Sequence, residues 1–175
     1  MDKVSIFIDG SNLYHSLKGE FNRSDLDFEK FYCKLVGSRK LVRTYYYNAT
    51  IDQTKNPTGY GDQQRFFERM RRIPYLELRL GRLIYPRWPA APPYEKGIDI
   101  RIATDMLVHA FRANYDVAIL VSGDNDFVDA LQAVKDLGKH VEVALFGGNA
   151  SSQQLRGVAD RVICIDQALL GDCWM

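Results

Sequence analysis

Short runs of apolar residues alternate along this chain with segments in which apolar residues recur every three or four positions. Residues 4–8 and 117–121 are continuously apolar over the length of a strand, which is typical of strands buried on both faces of a parallel sheet. Residues 41–47 are rich in β-branched and aromatic side chains and also predict a strand. The predicted strands of this kind are 4–8, 41–47, 117–121, 140–146 and 161–165.

Helices are predicted between these strands from their spacing and from residues that favour helix ends. Asp27 can cap a helix that Gly37 ends, and Gly138 suits the left-handed residue that follows a later helix. The first helix is expected directly after Gly10. The other predicted helices are 28–36, 62–72, 97–114, 124–137 and 152–158.

Segments rich in proline, glycine and other turn-forming residues predict the loops. Residues 52–61 and the proline-rich residues 86–93 are expected to be loops of this kind. Residues 75–85 predict either one strand or a hairpin that turns at Gly81 and Arg82.

The alternation of strands and helices predicts the fold class. Strands that follow one another through helices form a mainly parallel sheet with right-handed crossovers, so we expect a three-layer α/β/α architecture. The 175 residues are expected to form one domain. In sheets of this kind, functional sites form at the carboxyl ends of the strands.

Composition narrows the setting of the protein. The formal net charge is +1, so binding to nucleic acid has to come from a local patch. No stretch reaches the roughly 18 apolar residues of a membrane span, and the N-terminus lacks the basic flank of a signal peptide. Cys33, Cys164 and Cys173 lack the paired spacing of a disulfide framework or a zinc site. We therefore expect a cytoplasmic protein with no membrane partner, and a homo-oligomer stays open.

Acidic residues follow two of the predicted strands at the edge where sites form. Asp9 comes directly after residues 4–8, and Asp124 and Asp126 come after residues 117–121. Burying an unpaired carboxylate is costly, which favours a partner or a metal near Asp9. Each acid also has a local explanation, because Asp-Gly is common in turns and Asp is a favoured helix cap.

A further acid lies on the apolar face of the long helix predicted over residues 97–114. At 100° per residue, the apolar stripe consists of Ile98, Ile102, Ala103, Met106, Leu107 and Ala110. Asp99 falls in the middle of this stripe, so it is expected to point toward the sheet edge, although a capping position just outside the helix is the alternative. Asp105 lies at the margin of the stripe, four residues before His109, where an ion pair and a ligand role are equally open.

Asp9, Asp99, Asp124 and Asp126 together form a set of oxygen ligands. Mg²⁺ and Mn²⁺ prefer carboxylate and water ligands, and clustered acids without a cation would repel one another. A divalent ion can activate water and stabilise the attacking and leaving oxygens at a phosphodiester. The set therefore predicts a Mg²⁺ or Mn²⁺ site and hydrolysis of phosphodiester bonds.

Three motifs that hold these acids, together with Asp105, occur in one known family. They are Ile8-Asp9-Gly10-Ser11-Asn12, Lys96-Gly97-Ile98-Asp99 and Ser122-Gly123-Asp124-Asn125-Asp126-Phe127. In this order and approximate spacing the chain resembles the NYN domain, in the LabA-like branch of the PIN-like nucleases. The resemblance covers nearly the whole chain. It implies a Rossmann-like α/β/α domain whose acids bind Mg²⁺ or Mn²⁺ and cleave RNA.

The resemblance also implies roles for individual residues. The residues that it makes metal-binding or catalytic acids are Asp9, Asp99, Asp124 and Asp126. Asn12 and Ser122 would orient these acids, Asp105 would support them, and Lys96 would meet a phosphate. The alternative is a PIN-like regulatory domain that binds RNA or a protein without turnover.

A basic segment lies between residues 63 and 88. It contains seven arginines and two acids, an excess of five positive charges in an almost neutral chain. Arginines can bind phosphates while interleaved aromatic rings stack on bases, as in proteins that bind single-stranded nucleic acid. We predict RNA contacts at Arg72, Arg82, Arg87 and Trp88. A solvated helix face with core aromatics is the alternative.

Other sites that begin with an acid or a glycine after the first strand fit less well. Phosphatases that form an aspartyl phosphate need a second acid two residues later, where this chain has Ser11. A von Willebrand type metal-dependent adhesion site needs a serine at the position of Leu13. A dinucleotide site needs several spaced glycines, and Gly10 is alone in its turn.

Overall fold

The computed structural model describes residues 1–147 and 152–175. The strands are β1 (Lys3–Asp9), β2 (Lys40–Thr50), β3 (Leu76–Ile84), β4 (Tyr94–Glu95), β5 (Val117–Val121), β6 (His140–Phe146) and β7 (Arg161–Ile165). The helices are α1 (Gly10–Phe21), α2 (Phe28–Val36), α3 (Pro57–Met70), α4 (Ile98–Phe111), α5 (Val128–Asp136), α6 (Gln153–Val158) and α7 (Gln167–Leu170). A 3₁₀ turn over Asn125–Phe127 leads into α5.

The strands form one sheet in the order β4-β3-β2-β1-β5-β6-β7. All neighbouring pairs are parallel except β3 and β4. This arrangement confirms the predicted α/β fold class. Because β1 pairs with β2 on one side and with β5 on the other, the strand order reverses between β1 and β5, which is where α/β sheets bind ligands.

Helices cover both faces of the sheet, and β1 shows why its sequence is continuously apolar. Val4, Ile6 and Ile8 pack with α1, α2 and α3 on one face, whereas Phe7 packs with α4 and α5 on the other. Alternate side chains of a strand point to opposite faces, so a strand between two helical layers needs apolar residues at every position. None of the described helices is long and apolar enough to cross a membrane.

Helix α3 starts earlier than the sequence predicts. The prediction of a loop over residues 52–61 is wrong in its second half, because Asn56 caps α3 by accepting a hydrogen bond from the Gly59 N–H. Pro57 occupies the first helical position, where its missing N–H needs no partner. An asparagine cap followed by proline is therefore a helix start here and not a turn.

The hairpin alternative at Gly81 and Arg82 does not occur. Both residues continue the single strand β3, and the antiparallel partner of this strand is β4. A Cβ atom on Gly81 would lie 2.6 Å from Cδ1 of Ile98. Glycine is present because the start of α4 packs directly on the strand, and the pairing of Glu95 with Leu83 carries Glu95 to the carboxyl end of β3.

Candidate active site

Asp9 ends β1 at the point where the strand order reverses. Its carboxylate is buried, with 6% of the residue exposed, and both oxygens accept hydrogen bonds. Oδ1 accepts from the Asn12 N–H at 3.1 Å, and Oδ2 accepts from the Ser122 hydroxyl at 3.1 Å. Ser122 is adjacent because Ile8 pairs with Val121, so the ends of β1 and β5 lie side by side.

Asn12 and Ser122 also connect Asp9 to the segment after β5. The side-chain oxygen of Asn12 accepts from the Gly123 N–H at 3.0 Å, and the Ser122 hydroxyl accepts from the Asp124 N–H at 3.2 Å. Asp124 in turn accepts from the Asp126 N–H at 2.9 Å and caps the 3₁₀ turn. The carboxylates of Asp9 and Asp124 thus cap helical turns, yet the same network holds them at one edge of the sheet.

Asp99 approaches this edge from the first turn of α4. The capping position is Gly97, at φ +76° and without a side-chain hydrogen bond, so the alternative that Asp99 caps the helix is excluded. Ile98 and Ile102 are buried on the same helix, whereas Asp99 itself is exposed. Asp99 lies between these two packed residues in the sequence and lines a cleft.

The cleft has a volume of about 530 Å³. The residues that line it are Asp9, Ser11, Asn12, His15, Ser16, Gly19, Glu20, Glu95, Asp99 and Asp124. The structure therefore brings together three of the four acids that the sequence predicts. Asp126 is exposed and does not line the cleft.

Glu95 and His15 line this cleft and are absent from the sequence prediction, as are Ser16, Gly19 and Glu20. Glu95 reaches it through β4, a strand of two residues that follows a proline-rich segment. His15 reaches it from α1, three residues after Asn12 and therefore on the same helical face. The helical spacing is a signal that the sequence contained for His15, whereas for Glu95 only the pairing of β3 with β4 supplies it.

The electrostatics of the cleft reflect burial and mutual repulsion. Desolvation raises the pKa of Asp99, and the charges of Asp9, Asp124 and Asp126 raise it further. Burial also raises the pKa of Asp9, against the hydrogen bonds from Asn12 and Ser122, which lower it. The pKa of Glu95 is raised by burial and then by Asp9. These acids share a region of negative potential that a cation would relieve.

The donor chemistry of the cleft fits a hard divalent ion, because its acids offer only oxygen ligands. The spacing of these side chains is wider than a bound ion needs. In the ranges 1–147 and 152–175, no group of three His, Cys, Asp or Glu side chains is gathered closely enough to hold a metal ion. Ion binding at this cleft would therefore require its carboxylates to move closer together.

Two further predicted residues lie outside the cleft. Asp105 accepts a hydrogen bond from the buried Tyr47 hydroxyl at 2.8 Å, on the α4 face of the sheet. Burial raises the pKa of Tyr47, and the neighbouring Asp105 raises it further. Lys96 is exposed and does not line the cleft. The ion pair of Asp105 that the sequence leaves open is replaced by this contact with a tyrosine.

The predicted RNA contacts lie before, on and after β3. Arg82 is exposed near the carboxyl end of β3, and Arg87 is exposed in the segment that follows this strand. Arg72 is also exposed, but it precedes the start of β3 and is about 20 Å away along the strand direction. Trp88 packs edge-on against Tyr85, with ring centroids 5.5 Å apart.

The comparisons with known proteins agree with this fold. The NYN domain family matches residues 3–166 of the chain. A crystal structure of a protein of unknown function from Vibrio parahaemolyticus is similar to the chain, with a TM-score of 0.74 and 25% sequence identity. The similarity covers 99% of this chain and 95% of that one. No curated protein matches the chain.

Proposed function

Because this chain belongs to the NYN domain family, within the PIN-like nuclease superfamily, we propose that it is a metal-dependent ribonuclease. The observation that carries the proposal is the convergence of Asp9, Asp99 and Asp124 on one cleft at the carboxyl edge of the sheet. A purely structural role would not require three acids from three separate segments to share a cleft. Within the family, the motifs favour the LabA-like branch, and residues 1–175 are proposed to act as one domain in the cytoplasm.

The acids Asp9, Asp99, Asp124 and Asp126 are proposed to hold the ion and to act in catalysis. When bound, Mg²⁺ or Mn²⁺ supplies an activated water and neutralises charge on the phosphodiester oxygens. Asp9 is the fixed member of the set, because two hydrogen bonds set its orientation. Asp126 is exposed, and its charge raises the pKa of Asp99.

Neighbouring polar residues are proposed to orient the acids and the substrate. Asn12 and Ser122 position Asp9 and the backbone before Asp124 through the hydrogen bonds described above. Asp105 is proposed to act only indirectly, by fixing the buried Tyr47 against the middle of α4. Lys96 is exposed two residues before α4 and is proposed to meet a phosphate of the incoming strand.

The proposed substrate is single-stranded RNA, with Arg82, Arg87 and Trp88 as contacts outside the cleft. Changing Arg82 or Arg87 to Ala is expected to weaken RNA binding and to reduce the salt dependence of the association constant by about 0.7 in slope per lost phosphate contact. Arg72 is also exposed, precedes the start of β3 and is proposed as a further contact, so Arg72→Ala is expected to have the same effect. A salt slope unchanged from the wild type in all three variants would remove these arginines from the interface.

The nuclease proposal is tested by cleavage of labelled single-stranded RNA with added Mn²⁺. Asp9→Asn and Asp124→Asn are expected to abolish cleavage and to keep the fold, measured by circular dichroism. If the wild type binds RNA but does not cleave it with either ion, the regulatory alternative replaces this proposal.

Metal binding is tested separately by thermal unfolding. At 100 times its dissociation constant, Mn²⁺ should stabilise the wild type by about 2.7 kcal/mol, which corresponds to a rise in Tm of about 5 to 11 °C for a chain of this size. Asp124→Asn should lose this rise. If neither Mg²⁺ nor Mn²⁺ changes the Tm of the wild type, the proposed metal site is contradicted.

A further inference from the structure

A second cavity, of about 820 Å³, adjoins the acidic cleft. The two share Ser11, His15 and Glu95 as lining residues, so they form one continuous depression. The second cavity lies between α1, α3 and the end of β2, and residues 93–95 close one side. Its size falls in the range of pockets that bind small organic ligands.

The floor of this cavity is a rigid group of aromatic rings. Phe28, Tyr46 and Phe66 contact one another edge to face, with centroid distances of 5.4 Å, 5.8 Å and 6.0 Å. Such contacts hold each ring in place and add to the stability of the packing. The floor is therefore a preformed apolar surface that does not need to be ordered by a ligand.

Two exposed tyrosines stand at the rim. Tyr14 of α1 is 48% exposed and Tyr94 of β4 is 51% exposed, and both line the cavity. Large aromatic side chains that remain exposed beside a cavity are typical of surfaces on which single-stranded nucleic acids stack their bases. Trp88, which the sequence favours for stacking, lines neither this cavity nor the cleft.

The polar side chains of the cavity differ in how many of their hydrogen-bonding groups are already bonded within the protein. The side chain of Gln63 is occupied, because it accepts from the Ile51 N–H and donates to the Ala49 carbonyl, both at 2.9 Å. Asn48 accepts from the Ala49 N–H at 2.8 Å and donates one N–H to the Tyr46 hydroxyl over a long 3.4 Å. Among the described residues, the second amide N–H of Asn48 has no acceptor, so it can donate to a ligand.

A positively charged side chain, that of Arg69, also lies at the rim. Arg69 lines the cavity and is exposed, and within the described part of the chain it forms no ion pair. Arg65, one turn earlier on α3, is instead paired with Asp62. Arg69 is thus available for an anion beside an aromatic cavity.

We propose that this cavity binds one nucleobase of the RNA strand whose phosphodiester lies in the acidic cleft. A planar ring with hydrogen-bond acceptors fits the exposed tyrosines and the Asn48 amide, and the adjoining phosphate fits Arg69. Continuity with the cleft places this base next to the bond that is cut. The inference rests on the proposed function, since it takes single-stranded RNA as the substrate.

The test measures binding of a short labelled single-stranded RNA by fluorescence anisotropy. The Asp124→Asn background is used without divalent ions, so that cleavage does not contribute. Tyr14→Ala and Tyr94→Ala should each weaken binding by about 5- to 150-fold, the range measured for loss of one base–aromatic stack. Phe substitutions at both positions should restore binding. Phe111→Ala, which removes an exposed ring remote from the cavity, should change nothing.

A second arm locates the base and the phosphate. In the Asp124→Asn parent, an RNA with one abasic position should bind more weakly when that position is the nucleotide beside the cleavage site. This difference should vanish when Tyr94→Ala is added. Arg69→Ala should lower the salt slope by about 0.7, and Arg65→Ala should lower it less.

The outcomes separate the two proposals. If wild-type protein cleaves RNA but the tyrosine variants bind as tightly as the parent, the base site is overturned and the nuclease proposal stands. If RNA binds and the tyrosine variants weaken it, but no cleavage occurs with metal, the base site stands and the nuclease proposal fails. Equal loss at every abasic position would also overturn the base site.

Discussion

Gly10 and Gly19 lie on the same helix, α1, and meet opposite surroundings. A Cβ atom on Gly10 would lie 2.5 Å from Cζ of Tyr46 and 2.5 Å from the Tyr47 carbonyl oxygen. A Cβ atom on Gly19 would have no heavy atom within 4 Å. Gly10→Ala is therefore expected to destabilise the protein, whereas Gly19→Ala is expected to stabilise it.

The size of the change in stability depends on how far the atoms around the new Cβ atom have to move. Ordinary contacts begin at 3.4 Å, so Gly10→Ala requires a shift approaching an ångström. Tyr46 is buried and the Tyr47 backbone is held in β2 between β1 and β3, so neither can yield locally. Overpacking of this kind costs about 1 to 3 kcal/mol. Gly19→Ala instead gains about 0.5 to 1 kcal/mol, because alanine loses less backbone entropy in a helix.

The assay is urea unfolding of the two variants beside the wild type, followed by circular dichroism. The free energies of unfolding should differ by about 1.5 to 4 kcal/mol in the stated order. The shift should also displace Asp9, so RNA cleavage should fall in Gly10→Ala. A Gly10→Ala protein as stable as Gly19→Ala would refute the close approach of α1 to β2.

Three further predictions concern charged groups. Arg39→Ala should destabilise the protein by about 3 to 5 kcal/mol in urea unfolding, because it leaves the buried Glu142 carboxylate without its bidentate partner at 2.8 Å and 3.1 Å. Asp99→Asn in EDTA should raise the Tm at pH 7 but not below about pH 4. The pKa of Asp99 is raised in the folded protein, so the stability that is present while Asp99 is protonated is lost as the pH rises through this pKa. Asparagine does not ionise and therefore avoids this loss. Tyr47→Phe should destabilise by about 1.5 to 3 kcal/mol through the lost hydrogen bond to Asp105, with the Mn²⁺ affinity unchanged.

Each of these has an outcome that contradicts it. Arg161→Ala is the control for Arg39, because its side chain is 62% exposed and 3.7 Å from the same Glu142 carboxylate; equal losses would show that burial does not set the effect. A Tm difference for Asp99→Asn that is independent of pH would contradict the explanation by burial and repulsion of the Asp99 charge. A changed Mn²⁺ affinity in Tyr47→Phe would indicate that Asp105 takes part in metal binding.

Local sequence was enough for the elements whose causes are local. The continuous apolar run of β1 follows from helices on both faces, and Asp27 caps α2 by accepting from the Lys30 N–H. The pairing of Asp9 with the segment before Asp124 was also predictable in outline. Carboxyl ends of parallel strands share one edge, so acids after two such strands meet there without knowledge of any side-chain contact.

The sequence by itself therefore determined the α/β class and the edge of the sheet at which the acids gather. Only the tertiary structure decided that β3 continues through Gly81, that β4 carries Glu95 into the cleft, and that Asp105 turns to Tyr47. It also placed Tyr14 and Tyr94, 80 positions apart, at one rim. The physical reason is that periodicity and capping act within a few residues, whereas these contacts depend on which segments pack together.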